Sequence, residues 1–151
     1  ELRARLKGRP CVPYNADLRV KVEATGLFTY PDVSVVCGEP QYAGNACDTL
    51  INPTVLVEVL SDATEAYDRG RKFEHYRQIP SLREYLMVSQ HAPRVEQFIR
   101  QPDGRWVLVE ACGLESNLEL AALGITLPLS EVFAHVRFET VPFRPASLPP
   151  A

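Results

Sequence analysis

The sequence is poor in the residues that most enzymes of small size rely on. Three histidines, one methionine and one tryptophan occur among 151 residues. His75, His91 and His135 stand far apart, so no HExxH pair exists and no zincin chemistry is open to the chain. Four cysteines occur at 11, 37, 47 and 112, with no CxxC pair and no CxxH spacing. That speaks against a zinc ribbon or finger, whose ligands come clustered, and against a disulfide framework, though neither is excluded. The scattered thiols are expected to act as small core hydrophobes in a reducing cytosol. Eight glycines are present, but none falls in a GxGxxG or GxxxxGKS/T pattern, so neither nucleotide-binding fingerprint is available. A GxSxG elbow is absent too. No apolar run approaches the ~20 residues of a membrane span, and no signal-peptide pattern opens the chain. A cytoplasmic protein without a membrane partner is expected.

An excess of positive charge is also missing. Sixteen Lys and Arg face nineteen Asp and Glu, for a net charge of −3. That balance speaks against strong nonspecific nucleic-acid binding, though not against a local basic groove. Two basic clusters exist: Arg3, Arg5, Lys7 and Arg9, then Arg69, Arg71 and Lys72. As plain sequence, each reads as a solvated face.

What is present suits one domain. Hydrophobic residues make up 46% of the chain, enough for a core. The expected boundaries are 1–141 for the domain and 142–151 for a Pro-rich irregular tail. Residues 2–7 read as the end of an incomplete helix, stopped by Gly8 and Pro10. The strict alternation over 17–23 predicts a half-buried strand. A second strand is predicted over 31–37 and a loop over 38–53, where Gly38, Pro40, Gly44 and Pro53 accumulate. The run Thr54–Leu60 (TVLVEVL) is apolar and β-branched, which predicts a central strand buried on both faces. A helix is predicted over about 64–79, capped by Ser61 or Asp62 and ended by Pro80. Strands follow at 83–88, at 94–100 with 105–111 as a hairpin around Pro102 and Gly104, and at 125–129. Ser130 is expected to cap a brief helix through His135. The order predicts an α/β fold, a mixed sheet flanked by helices.

Glu58 is the most informative residue, a lone carboxylate in an otherwise apolar strand. Such a group is costly to bury unless it is paired, hydrogen-bonded or bound to a metal. Alternation places it on one face with Thr54, Leu56 and Leu60. Asp32 shares a face with Ser34 and Val36 on its own strand. Two inward carboxylates from two strands could converge on one hard cation, which takes oxygen ligands. Asp68, Lys72 and Tyr76 recur every four residues and line one helical stripe, from which Lys72 could reach the carboxylates. Each residue has a blander role open to it. Asp68 and Lys72 also fit an exposed i,i+4 ion pair, Asp32 a strand start, Glu58 a carboxylate met by an arginine or a backbone donor, and Tyr76 and Phe73 ordinary core.

These motifs together resemble the Uma2 family, also called DUF820, a set of restriction-endonuclease-like proteins. The resemblance rests on Tyr30-Pro31-Asp32-Val33 with Ser34-Val35-Val36, on Val57-Glu58-Val59-Leu60-Ser61, and on Asp68-Arg69-Gly70-Arg71-Lys72 with Tyr76. Glu84-Tyr85-Leu86-Met87-Val88 and Leu127-Pro128-Leu129 before Glu131-Val132-Phe133 extend it over most of the chain. It implies a PD-(D/E)xK nuclease-like fold, a restriction-endonuclease-like mixed β-sheet. It implies Asp32, Glu58 and the backbone carbonyl of Val59 as ligands of Mg²⁺ or Mn²⁺. The usual lysine position, two residues after the acidic residue, holds Leu60 here. The family supplies the lysine from the following helix, which implies Lys72 as the catalytic lysine.

Three functions are open at this point. One is a metal-dependent endonuclease on DNA, with Asp32, Glu58 and Lys72 catalytic, Arg69 and Arg71 on phosphates, and a homodimer to match the two strands of a duplex. Another is a noncatalytic binding or oligomerising module on the same fold. The last is a metal-dependent hydrolase of a small phosphoester.

Overall fold

The structure is a computed structural model that describes residues 1–138. The expected tail at 142–151 lies outside the described residues. The chain runs α1 (Leu2–Arg5), β1 (Cys11–Asn15), β2 (Arg19–Val22), β3 (Leu27–Thr29), β4 (Val33–Cys37), β5 (Thr49–Leu50) and β6 (Val55–Val59). It continues through α2 (Glu65–Arg69), α3 (Arg71–Tyr76), β7 (Glu84–Val88), β8 (Arg94–Arg100), β9 (Trp106–Cys112), β10 (Asn117–Leu120), β11 (Ile125–Pro128) and α4 (Leu129–Val132).

Six strands form the central sheet in the order β1-β4-β6-β7-β8-β9. Only β6 and β7 pair in parallel; the other neighbours are antiparallel. A parallel pair needs a crossover, and α2 and α3 provide it. The sheet is therefore mixed, as the element order predicts. The run at β6 sits in its middle, and Val55, Leu56, Val57 and Glu58 are all buried.

Alternation along the strands divides the core in two. Val35, Val55, Val57 and Leu86 face one way and meet Leu6, Leu118, Leu127, Leu129 and Phe133. Val36, Leu56, Leu60, Tyr85 and Met87 face the other way. There they meet Tyr76, Ile79 and Leu82, and also Val20, Val22 and Leu50 of a small sheet ordered β3-β2-β5.

Several expectations are corrected. The single helix over 64–79 is two helices broken at Gly70, whose ψ of −99° leaves the helical region. Apart from proline, glycine is the residue least favoured in a helix, so the break falls there. The loop over 38–53 contains β5, which pairs in parallel with β2. The strands β1, β3 and β10 are not among those expected; β1 and β3 show no clear alternation, whereas β10 alternates over only four residues, Asn117–Leu120. Ser130 does not cap α4; the helix begins at Leu129, and Pro128 occupies the cap position without a side-chain bond.

The cysteine reading also changes. Cys11 and Cys37 face each other across β1 and β4 and form a disulfide. Cys47 and Cys112 are free but exposed, so neither is a core hydrophobe. Sequence spacing hides the bridge because the two cysteines lie 26 positions apart and the pairing register alone brings them together. Among the described residues, no helix is long and apolar enough to cross a membrane.

Candidate active site

Strand register assembles the site. Val33 lies opposite Val57 and Ser34 opposite Leu56. The paired ladder ends at Val33, and the same register carried one residue further sets Asp32, just outside β4, opposite Glu58, where opposite residues share a face. There the Val59 amide donates to the side chain of Asp32, at Oδ2 and 2.7 Å, and holds the carboxylate at the end of β6. Across the sheet, Glu58 lies opposite Met87, Met87 opposite Glu96, and Glu96 opposite Glu110. One row of the sheet thus carries four carboxylates, with α2 and α3 packed beside it.

Glu58 is only 4% exposed. Its Oε1 accepts the Tyr76 hydroxyl at 2.7 Å and lies 2.8 Å from Lys72 Nζ. Lys72 Nζ also donates to Asp68 Oδ1 at 3.0 Å. Asp68 is itself buried, and its backbone carbonyl accepts the Tyr85 hydroxyl at 3.0 Å. The Thr29 hydroxyl lies 3.3 Å from the Tyr76 oxygen and completes the chain of bonds. The i,i+4 pair of Asp68 and Lys72 is therefore real, but it is buried rather than exposed.

Electrostatics follow from this packing. Burial pushes the Glu58 carboxyl above its ordinary value, while Lys72 and then Tyr76 pull it part of the way back. Burial pulls the Lys72 ammonium down, but bonds to Glu58 and Asp68 outweigh it and leave the group more basic than an ordinary lysine. Burial beside Glu58 raises the Tyr76 phenol strongly, so it stays a donor. The ammonium is held charged, and its two acidic partners are held in fixed positions.

The remaining candidates separate. Val59 ends β6 with its side chain exposed, next to the Asp32 carboxylate. Arg69 pairs with Glu65 at 2.9 Å and with Glu96, so its guanidinium is committed to the protein. Arg71 is exposed and has no acidic partner among the described residues. Sequence reasoning placed Tyr76 in the core and missed its bond to Glu58; the four-residue spacing from Asp68 and Lys72 was the available signal. Glu96 was missed altogether, because only strand pairing across β7 and β8 puts it in the row.

The donor set can be tested against a divalent cation. Asp32 Oδ2 and Glu58 Oε1 are engaged, whereas Asp32 Oδ1 and Glu58 Oε2 accept no hydrogen bond among the described residues. No three His, Cys, Asp or Glu side chains gather around a point among the described residues. Two carboxylates with a free oxygen each suit a hard cation that keeps several waters, and do not suit a closed zinc site.

Comparison with known proteins bears on the family and the fold. Uncharacterized protein sll1609 of Synechocystis sp. is 34% identical over 110 residues, which is 73% of this chain and 62% of that protein. Uncharacterized protein slr1290 of the same organism is 34% identical over 133 residues, 88% of this chain and 68% of that protein. The chain thus spans about two thirds of the length of these relatives. A crystal structure described as a "putative nuclease belonging to DUF820", from Anabaena variabilis, superposes with a TM-score of 0.70 at 16% identity. The match covers 88% of this chain and 74% of that one, and it shows a shared fold. Residues 1–130 match the model of the Uma2 family, described as "Putative restriction endonuclease". With the motifs, the sheet and the family model in agreement over most of its length, the chain belongs to the Uma2 family.

Proposed function

We propose that this protein is a metal-dependent nuclease that hydrolyses DNA phosphodiester bonds, with Asp32 and Glu58 as metal ligands and Lys72 as the catalytic lysine. The observation that carries the reading is the position of Lys72. Its side chain is 12% exposed, and its ammonium stands 2.8 Å from Glu58 Oε1. It comes from α3, and Leu60 occupies the usual lysine position in the sequence. Asp32, Glu58 and the Val59 carbonyl would hold Mg²⁺ or Mn²⁺. Such an ion supplies Lewis acidity toward a phosphoryl oxygen and makes bound water more acidic.

The chain's own groups supply the rest. Lys72 stays protonated and offers fixed positive charge where negative charge develops on the phosphoryl group. Tyr76 and Asp68 hold Glu58 and Lys72 in place, so little reorganisation is needed during reaction. Arg71 is free to meet a backbone phosphate, a contact that positions without reading sequence. Arg69, bound to Glu96, fixes α2 against β8 and through it the position of Asp68.

Thermal unfolding with and without Mn²⁺ tests the site, on the parent and on Glu58→Ala. An ion that binds only the folded state at ~100 times its Kd adds about 2.7 kcal/mol. A shift in the parent that is absent in the variant, followed by Mn²⁺-dependent cleavage of labelled DNA, supports the reading. An unchanged parent would sink it. A noncatalytic module draws its support from the net charge of −3; it requires partner binding that survives both Asp32→Ala and Glu58→Ala.

A further inference from the structure

Three large aromatic side chains are exposed close to the buried site in sequence or in space. Tyr67 is 43% exposed, Tyr30 57% and Phe28 51%. Single exposed apolar residues are common and need no explanation. The surroundings of these three set them apart. Lys72 Nζ lies 6.0 Å from the centre of the Tyr67 ring and 5.9 Å from that of Tyr76. Tyr76 is fully buried, so Tyr67 is the exposed one of the two rings beside the ammonium.

The second group is on the segment leading to Asp32. Phe28 lies opposite Lys21 in the β2–β3 pair. Arg19 lies 4.9 Å and Lys21 5.6 Å from its ring centre. Arg19 is partly engaged by Thr49 at 2.9 Å and Asp48 at 3.8 Å, whereas Lys21 has no acidic partner among the described residues. The next residue, Thr29, turns inward to the Tyr76 hydroxyl, and Tyr30 then emerges two positions before Asp32. Arg19, Lys21 and Phe28 therefore form a patch of cations and a ring on β2 and β3, Tyr30 follows on the segment to Asp32, and Tyr67 supplies a ring from α2.

This pattern matches the way proteins hold unpaired nucleic acid. Cations follow the backbone, and rings stack on bases without regard to their identity. A regular duplex offers its phosphates but keeps its bases stacked on each other, so these rings would have no partner there. Resting on the nuclease reading, we infer that the site takes single-stranded DNA, with Tyr67 and Tyr30 stacking on bases beside the scissile phosphate. Phe28, with Lys21 and Arg19, extends the track.

Binding tests this without relying on catalysis. Fluorescence anisotropy of a fluorescein-labelled oligothymidylate and of a blunt hairpin duplex, with chelator present, is measured for the parent, Tyr67→Ala, Tyr30→Ala and Tyr67→Phe. Circular dichroism checks that each variant is folded. The expected result is tighter binding of the single strand, a loss of about tenfold for each alanine, and little loss for Tyr67→Phe, which keeps the ring. Duplex binding should not respond to the alanine changes. Preference for the duplex, or single-strand binding indifferent to both alanines, overturns the inference. Cleavage of the two substrates with Mn²⁺ is read separately. Stacking without cleavage keeps the track and retires the catalytic reading. Equal cleavage of both substrates, unchanged in Tyr67→Ala, retires the track and keeps the catalytic reading.

Discussion

Lys72 Nζ stands 2.8 Å from Glu58 Oε1, although the two residues belong to a strand and to the second helix of a broken crossover. Both are largely removed from water, and each is the main compensation for burying the other. That mutual dependence makes the pair open to direct test.

Lys72→Met is expected to destabilise the fold by about 3 kcal/mol at neutral pH, because it leaves two buried carboxylates without their cation. Glu58 should then take up a proton at a higher pH than in the parent. Urea unfolding at pH 5 and pH 7 reads both effects: the deficit of the variant should be smaller at pH 5. An equal deficit at the two values would show that packing, not charge, was lost.

Tyr76→Phe keeps the ring in the core and removes only the hydroxyl that Glu58 accepts. A hydrogen bond to a charged group contributes about 1.5–3 kcal/mol, and a loss of that order is expected in chemical denaturation. Any nuclease activity should fall as well, since Glu58 is less firmly held. A neutral substitution would mean that Lys72 alone positions the carboxylate.

Glu84 gives a pH dependence on the opposite face of the sheet. It is buried and accepts the Ala122 amide at 2.7 Å and Gln97 Nε2 at 2.8 Å. Burial raises its carboxyl above the ordinary value, against the pull of the Ala122 amide and Gln97. A carboxyl raised by folding binds its proton more tightly in the folded state, so stability falls as pH rises from the ordinary carboxylate value through the raised one. Glu84→Gln should flatten that part of the stability–pH curve, measured by urea midpoints. An unchanged slope would assign the dependence to other groups, Glu58 first among them.

The Cys11–Cys37 bridge closes a loop of 26 residues between β1 and β4. Chain-entropy arguments give about 3–4 kcal/mol for a loop of this size. Reduction, or the double change Cys11→Ala and Cys37→Ala, should lower the melting temperature accordingly. Because Asp32 lies at the other end of β4, metal binding by the reduced protein should persist below the new midpoint.

Much of this was legible beforehand because it depends on local periodicity. The run at β6 and the alternation at β2 were readable. So was the Pro-Gly turn of the β8–β9 hairpin, where the Gly104 amide donates to the Gln101 carbonyl at 2.9 Å. Glu58 stood out because a charge within an apolar strand has few explanations. The break at Gly70 was harder to read, since one glycine lowers helix propensity without dictating where the axis turns.

By itself the sequence determined the mixed α/β class, the central position of β6, the shared stripe of Asp68, Lys72 and Tyr76, and the family. All of these are encoded in spacings of a few residues. Only the tertiary structure decided that Tyr76 and Lys72 meet on one oxygen of Glu58, that Arg69 is taken by Glu96, and that Cys11 faces Cys37. These contacts depend on which strands pair and in what register. Register is set by burial of whole faces across the sheet, a property no local stretch of sequence contains.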